Sequence, residues 1–94
     1  MIEEIDLKIE RLLKCRDRKN VINNPNLRAL ICVVIEKAYF LEYIVLSNKT
    51  FKENIDNQFF VAREAINRQF RDSGLDEVAD IFNELHSIAQ PYLI

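Results

Sequence analysis

Residues 24–47 read NPNLRALICVVIEKAYFLEYIVLS, and this stretch decides the fold. Asn24 before Pro25 is a helix start: asparagine caps well, and proline at the first helical position gives up no hydrogen bond. No Gly or Pro follows before Ser47. Leu30, Val33, Phe40, Leu41 and Ile44 share one face, and Ile31, Val34, Ile35, Val45 and Leu46 extend it. The helix predicted over 25–47 is therefore apolar nearly all round and is expected to be the most buried one. A membrane span would have to place Glu36, Lys37 and Glu42 in hydrocarbon, at roughly 2.5–3.5 kcal/mol for each ion. A core helix is the better reading. Lys37 falls within its apolar face and is expected to pack its stem while its ammonium finds water or an acid.

Toward the N-terminus, Ile2, Ile5, Ile9, Leu12 and Leu13 form a helical stripe, predicting a helix over 2–19. Glu3, Glu4, Asp6 and Glu10 open it, and Lys14, Arg16, Arg18 and Lys19 close it, which suits the helix dipole at both ends. Residues 20–24 read as a loop. Toward the C-terminus, Asn48 can close the central helix and Thr50-Phe51-Lys52-Glu53 is a capping box. A third helix is predicted over 51–71, with Phe51, Ile55, Phe59, Ala62, Ile66 and Phe70 on one stripe. It ends at Gly74, the chain's one glycine, placed where a C-terminal cap wants it. A fourth is predicted over 75–90, with Leu75, Val78, Phe82, Leu85 and Ala89 in register until Pro91.

Short loops between these segments predict an all-α fold, an antiparallel four-helix up-down-up-down bundle over residues 1–94. Its expected core is Ile9, Leu12, Leu30, Val33, Val34, Leu41, Ile44, Ile55, Phe59, Ile66, Val78, Phe82 and Leu85. Composition agrees. One Gly and two Pro in 94 residues are too few turns for an all-β chain, and 49% hydrophobic content excludes a disordered one. A core of this size supports a monomer only marginally, which leaves room for a homodimer.

The acidic start, Met1-Ile2-Glu3-Glu4-Ile5-Asp6, does not resemble a secretion signal, so a cytoplasmic location is expected. In that setting Cys15 and Cys32 read as reduced thiols, without metal-binding spacing, and the sequon Asn48-Lys49-Thr50 carries no weight.

The net charge of −2 hides a segregation. From residue 72 onward stand Asp72, Asp76, Glu77, Asp80 and Glu84 with no Lys or Arg, whereas residues 1–71 carry 13 basic and 10 acidic side chains. Asp76 and Glu77 suit their own helix's N-terminus. Asp80 and Glu84 lie beyond the dipole's reach and either meet arginines such as Arg63 or Arg68 or face a cationic partner. Lys14, Arg16, Arg18 and Lys19, with Arg28 across the loop, form the densest basic cluster. It is a candidate anion or nucleic-acid contact, disfavoured by the lack of interleaved aromatics and the acidic total.

Chemistry is sparse. His86 is the one histidine, which excludes a His-rich metal site; with Phe82, Asn83, Ala79 and Gln90 around it, it reads as a boundary residue. Ser47, Ser73 and Ser87 fall on helix ends or faces, and a single glycine cannot build a phosphate-cradling loop. No metal or cofactor is expected.

Two short resemblances exist. Ile5-Asp6, Leu12-Leu13 and Arg16, with Gly74-Leu75-Asp76 and Ile81-Phe82, resemble segments of the helical chorismate mutases. That resemblance implies an enzyme in which Arg16 would bind a dianion. Ile2 or Met1 stands where that family has an arginine, and Pro25 interrupts its long helix. Asp76-Glu77-Val78-Ala79-Asp80-Ile81 with Leu85-His86 and Ala89 resembles the second helix of a plasmid copy-control RNA-binding hairpin. Of that family's RNA-binding face only Asn54 has a match; Gln58, Ala62 and Gln69 replace the rest. The expected function is a small non-enzymatic protein-binding module, such as an immunity protein or antitoxin, whose acids Asp76, Glu77, Asp80 and Glu84 meet a basic partner. A chorismate-mutase-like enzyme and an RNA- or DNA-binding helical homodimer are the alternatives.

Overall fold

The structure, a computed structural model, describes residues 1–47 and 62–92. The described residues are helical, with no strand among them. Helix α1 spans Ile2–Arg16, α2 Lys19–Ile22, α3 Pro25–Ser47, α4 Arg63–Asp72 and α5 Asp76–Ala89, followed by a 3-10 turn at Gln90–Tyr92. The expected capping box at 50–53 and the core positions Ile55 and Phe59 lie outside the described residues.

The helix expected over 2–19 is two helices. Arg18 adopts an extended conformation (φ −65°, ψ 148°), which ends α1 and lets α2 start in a new direction. The redirection places Val21 in the core with no exposed surface. The segment expected as loop is thus mostly α2, ordered by that burial rather than by any turn residue.

Asn24 caps α3 as anticipated: its side-chain oxygen accepts the Leu27 N–H at 3.2 Å, and its carbonyl accepts the Arg28 N–H at 2.9 Å. The face that α3 buries keeps Val34, Leu41 and Ile44 of the expected core but is rotated away from Leu30, Val33 and Phe40. Leu27, Ile31, Val34, Ile35, Ala38, Leu41 and Ile44 point inward, while Leu30 is half-buried at the core edge and Val33 is 39% exposed. A helix apolar all round offers no polar side to mark its orientation, so its neighbours choose the face. Nor is α3 the most buried helix. Half of α5 is buried, because α5 is covered by α1 and α3 on one side and α4 on the other.

Gly74 joins α4 to α5 in the left-handed conformation, φ 75°. The Leu75 N–H reaches the Phe70 carbonyl at 2.8 Å and the Gly74 N–H reaches that of Arg71 at 3.0 Å. This is the paired bonding of a Schellman cap, and Phe70 and Leu75, both fully buried, supply the apolar contact that accompanies it. Ile66 packs half-buried beside them. Ile5, Ile9, Leu12, Val78, Phe82 and Leu85 complete the interior between α1, α3 and α5. Among the described residues, no helix is long and apolar enough to cross a membrane.

Candidate functional site

The four acids of α5 anticipated as a docking edge all find cations within the chain. Glu77, in the first turn, reaches back to α1: its Oε1 accepts from Arg11 Nε at 3.1 Å and its Oε2 from Arg18 Nη2 at 2.7 Å. The Cys15 thiol donates to the same Oε2 at 3.7 Å. The Arg18 guanidinium, and after it Arg11, hold the Glu77 carboxyl below the usual carboxylate range. Burial pushes the Cys15 thiol up and the Glu77 charge adds to that, so Cys15 is a packed thiol rather than a nucleophile.

Further along α5, Glu84 Oε2 lies 2.9 Å from Lys8 Nζ. Lys8 is only 8% exposed and is also 3.7 Å from Glu4, one turn earlier. On the opposite edge, Arg71 at the end of α4 meets Asp80 at 2.9 Å and Asp76 at 3.7 Å. The internal partners are thus Lys8, Arg11, Arg18 and Arg71 rather than Arg63 or Arg68. Lys8, Arg11 and Cys15 lie along one edge of α1, beside its core stripe. Two basic residues on such an edge are the signal that sequence reasoning passed over.

The basic cluster does not stay together as one patch. The break after Arg16 sends Arg18 onto Glu77, while Arg16 binds Asp17 at 3.3 Å and lies beside Cys32. The Asp17 carboxylate raises the Arg16 pKa. Lys14 is exposed on α1, Lys19 is exposed at the start of α2, and Arg28 is half-buried in the first turn of α3. Cys15 and Cys32 are free thiols.

His86 corrects the boundary reading, being only 4% exposed. The inward face of α5 is broad enough to take in Val78, Ala79, Phe82, Leu85, His86 and Ala89, and the imidazole meets the Phe82 ring edge-on at 4.7 Å. Burial, then the positive charges of Arg63 and Lys37, lower the His86 pKa to about 4, so it is neutral in the fold. Lys37, half-buried, belongs to this polar margin of the core.

A shallow, open depression lined by Asn26, Ala29, Leu30, Val33 and Gln69 lies between α3 and α4. Among the described residues no three His, Cys, Asp or Glu side chains gather as a metal site. The chain matches no family model, and no curated protein or solved structure is significantly similar to it.

Proposed function

We propose that the chain is a small non-enzymatic protein-binding module whose partner is a basic protein, as an immunity protein or antitoxin acting on a basic toxin would require. One observation carries this reading. Tyr39, Tyr43 and Leu46, within two turns of α3, are 51%, 53% and 69% exposed. Large aromatic and apolar side chains held outward together by a rigid helix are what protein interfaces enrich and ordinary surface avoids. The reading takes with it an antiparallel four-helix bundle of α1, α3, α4 and α5, supported by the short connections at 17–24 and 73–75.

The test is affinity capture from the source cell with the full chain and with Tyr39→Asp/Leu46→Asp in parallel. A basic protein retained in stoichiometric amount by the first and lost by the second is the expected result. Identical captures by both would overturn the reading.

A second reading keeps the α5 acids as the docking edge. It is favoured by the exposure of Asp76 and Asp80, whose side chains stay mostly in water despite their pairs with Arg71. Exposed pairs of this kind contribute about 0.2–1 kcal/mol and exchange readily for a partner's cation. Asp76→Lys with Asp80→Lys should then slow association at low salt while the fold persists.

A further inference from the structure

Two contacts fix how α1 and α3 lie together: Arg16 beside Cys32, and Asp6 beside Glu42. Moving ten residues back along α1 moves ten forward along α3, so the helices run antiparallel in one register. That register sets Tyr39 level with Ile9 and Glu10, and Leu46 level with Ile2 and Glu3. The outward side of this pair therefore carries exposed Tyr39 and Leu46 among the carboxylates of Asp6, Glu10, Glu36 and Glu42.

These acids differ from those of α5. Among the described residues none of the four takes part in an ion pair, although every acid of α5 from Asp76 to Glu84 does. Asp6 and Glu42 are moreover set against each other. Glu42 Oε2 is shut off from water and takes no hydrogen bond, while hydrogen bonding of the carboxyl with neighbouring Asp6, followed by burial, holds Glu42 above its usual range. Two carboxyls held together cost the isolated chain stability, because one must keep a proton or the pair must repel, and such a cost is characteristic of surfaces shaped for binding. Lys14, one turn beyond Glu10 on α1, and Arg16, paired with Asp17 beside Cys32, bound the acidic stretch at its Cys32 end.

We propose that this α1–α3 face is the seat of a cationic amphipathic helix of the partner, with Lys or Arg among the acids and an apolar stripe on Tyr39 and Leu46. The proposal rests on the protein-binding reading and names its partner's contact surface. Two antiparallel helices receive a third along their seam as a bundle does, and tyrosine rings attract cations through their faces. A second copy docked through the same face would set acids against acids, and phosphate-bearing surfaces are repelled for the same reason.

The test uses the full 15N-labelled chain and two synthetic helical peptides that share one leucine face, flanked by Lys in one and by Glu in the other. The Lys peptide is expected to shift the amides of Glu36, Tyr39, Glu42 and Leu46 saturably, and the Glu peptide to leave them in place. Glu10→Lys with Glu36→Lys should weaken the Lys peptide by roughly tenfold or more. Glu42→Gln should weaken it too while raising the melting temperature, a combination that a purely structural role does not produce. Shifts centred on Asp76 and Asp80 would overturn this face and leave the basic-partner function standing. Equal response to both peptides, or none to either, would overturn the proposal outright, whereas the protein-binding reading itself fails only in the capture experiment.

Discussion

Lys8 Nζ lies 2.9 Å from Glu84 Oε2, an ion pair that joins α1 to α5 with the lysine stem packed into the core edge. Glu84, anticipated as a docking acid, is thereby the main counter-charge of a buried cation. Removing one partner of such a pair is worse than removing both charges. Glu84→Ala is expected to cost about 1–2 kcal/mol in urea unfolding, less than for a fully buried pair because Glu84 is half exposed and Glu4 remains nearby. Lys8→Met, which keeps the stem and drops the charge, should stay within about 1 kcal/mol of the parent. A larger loss for Lys8→Met than for Glu84→Ala would contradict this ordering.

His86 makes stability depend on pH in a defined window. Its folded pKa, about 4, lies below the ordinary histidine value of 6.5. Between those values the unfolded chain holds a proton that the folded chain rejects, so stability rises with pH. Its full contribution is present above pH 6.5 and shrinks as the solution is acidified. From pH 6.5 to 5 the loss should be about 1.5 kcal/mol, the slope growing toward 1.36 kcal/mol for each pH unit as the unfolded histidine becomes fully protonated, reflecting a nearly fully buried imidazole. His86→Phe should flatten this part of the profile, measured by urea unfolding at fixed salt. An unchanged slope would show that the proton is not excluded by the fold.

The parts of the fold that were legible in the sequence are those controlled by local bonding. Asn24 with Pro25 and Gly74 with Leu75 announce a cap and a stop because the hydrogen bonds concerned span only a few residues. The break at Asp17–Arg18 carries no such mark. It depends on Val21 reaching the core and Arg18 reaching Glu77, both tertiary events. The inward face of α3 was illegible for a different reason. With apolar residues on every side, Val33 and Ile31 are equivalent in periodicity, and only the placement of α1 and α5 distinguishes them. The acids of α5 were legible as a cluster, but not their partners, because Lys8, Arg11 and Arg18 reach them from nearly sixty or more positions away. The bare acids beside Tyr39 became visible only once α1 and α3 were aligned.

Gly74 offers a test of the turn that sets α4 against α5. A methyl group added there would meet nothing within 4 Å, so the cost of Gly74→Ala is confined to the left-handed backbone, φ 75°. That cost should be roughly 1–2 kcal/mol, and Gly74→Asn, which tolerates the conformation better, should cost less. Equal losses for both would point to a reason other than backbone conformation.

Glu77 controls the chemistry of Cys15. The thiol is buried and donates to a carboxylate whose charge opposes thiolate formation, while Arg11 and Arg18 on the same carboxylate favour it. In the intact chain Cys15 should react with an alkylating reagent far more slowly than the half-buried Cys32. Glu77→Ala removes the opposing charge and leaves both arginines, so Cys15 should label faster and Cys32 should keep its rate as an internal control. General unfolding would accelerate both thiols together, which separates it from the local effect. The same carboxylate contributes to acid stability with the opposite proton balance to His86. Its folded pKa is depressed, so its contribution is whole above the ordinary glutamate range and is lost as pH falls through the folded value. Glu77→Ala should therefore lower stability at neutral pH and narrow the gap to the parent below about pH 4. Faster Cys15 labelling without that convergence would place the effect in opened packing rather than in the lost charge.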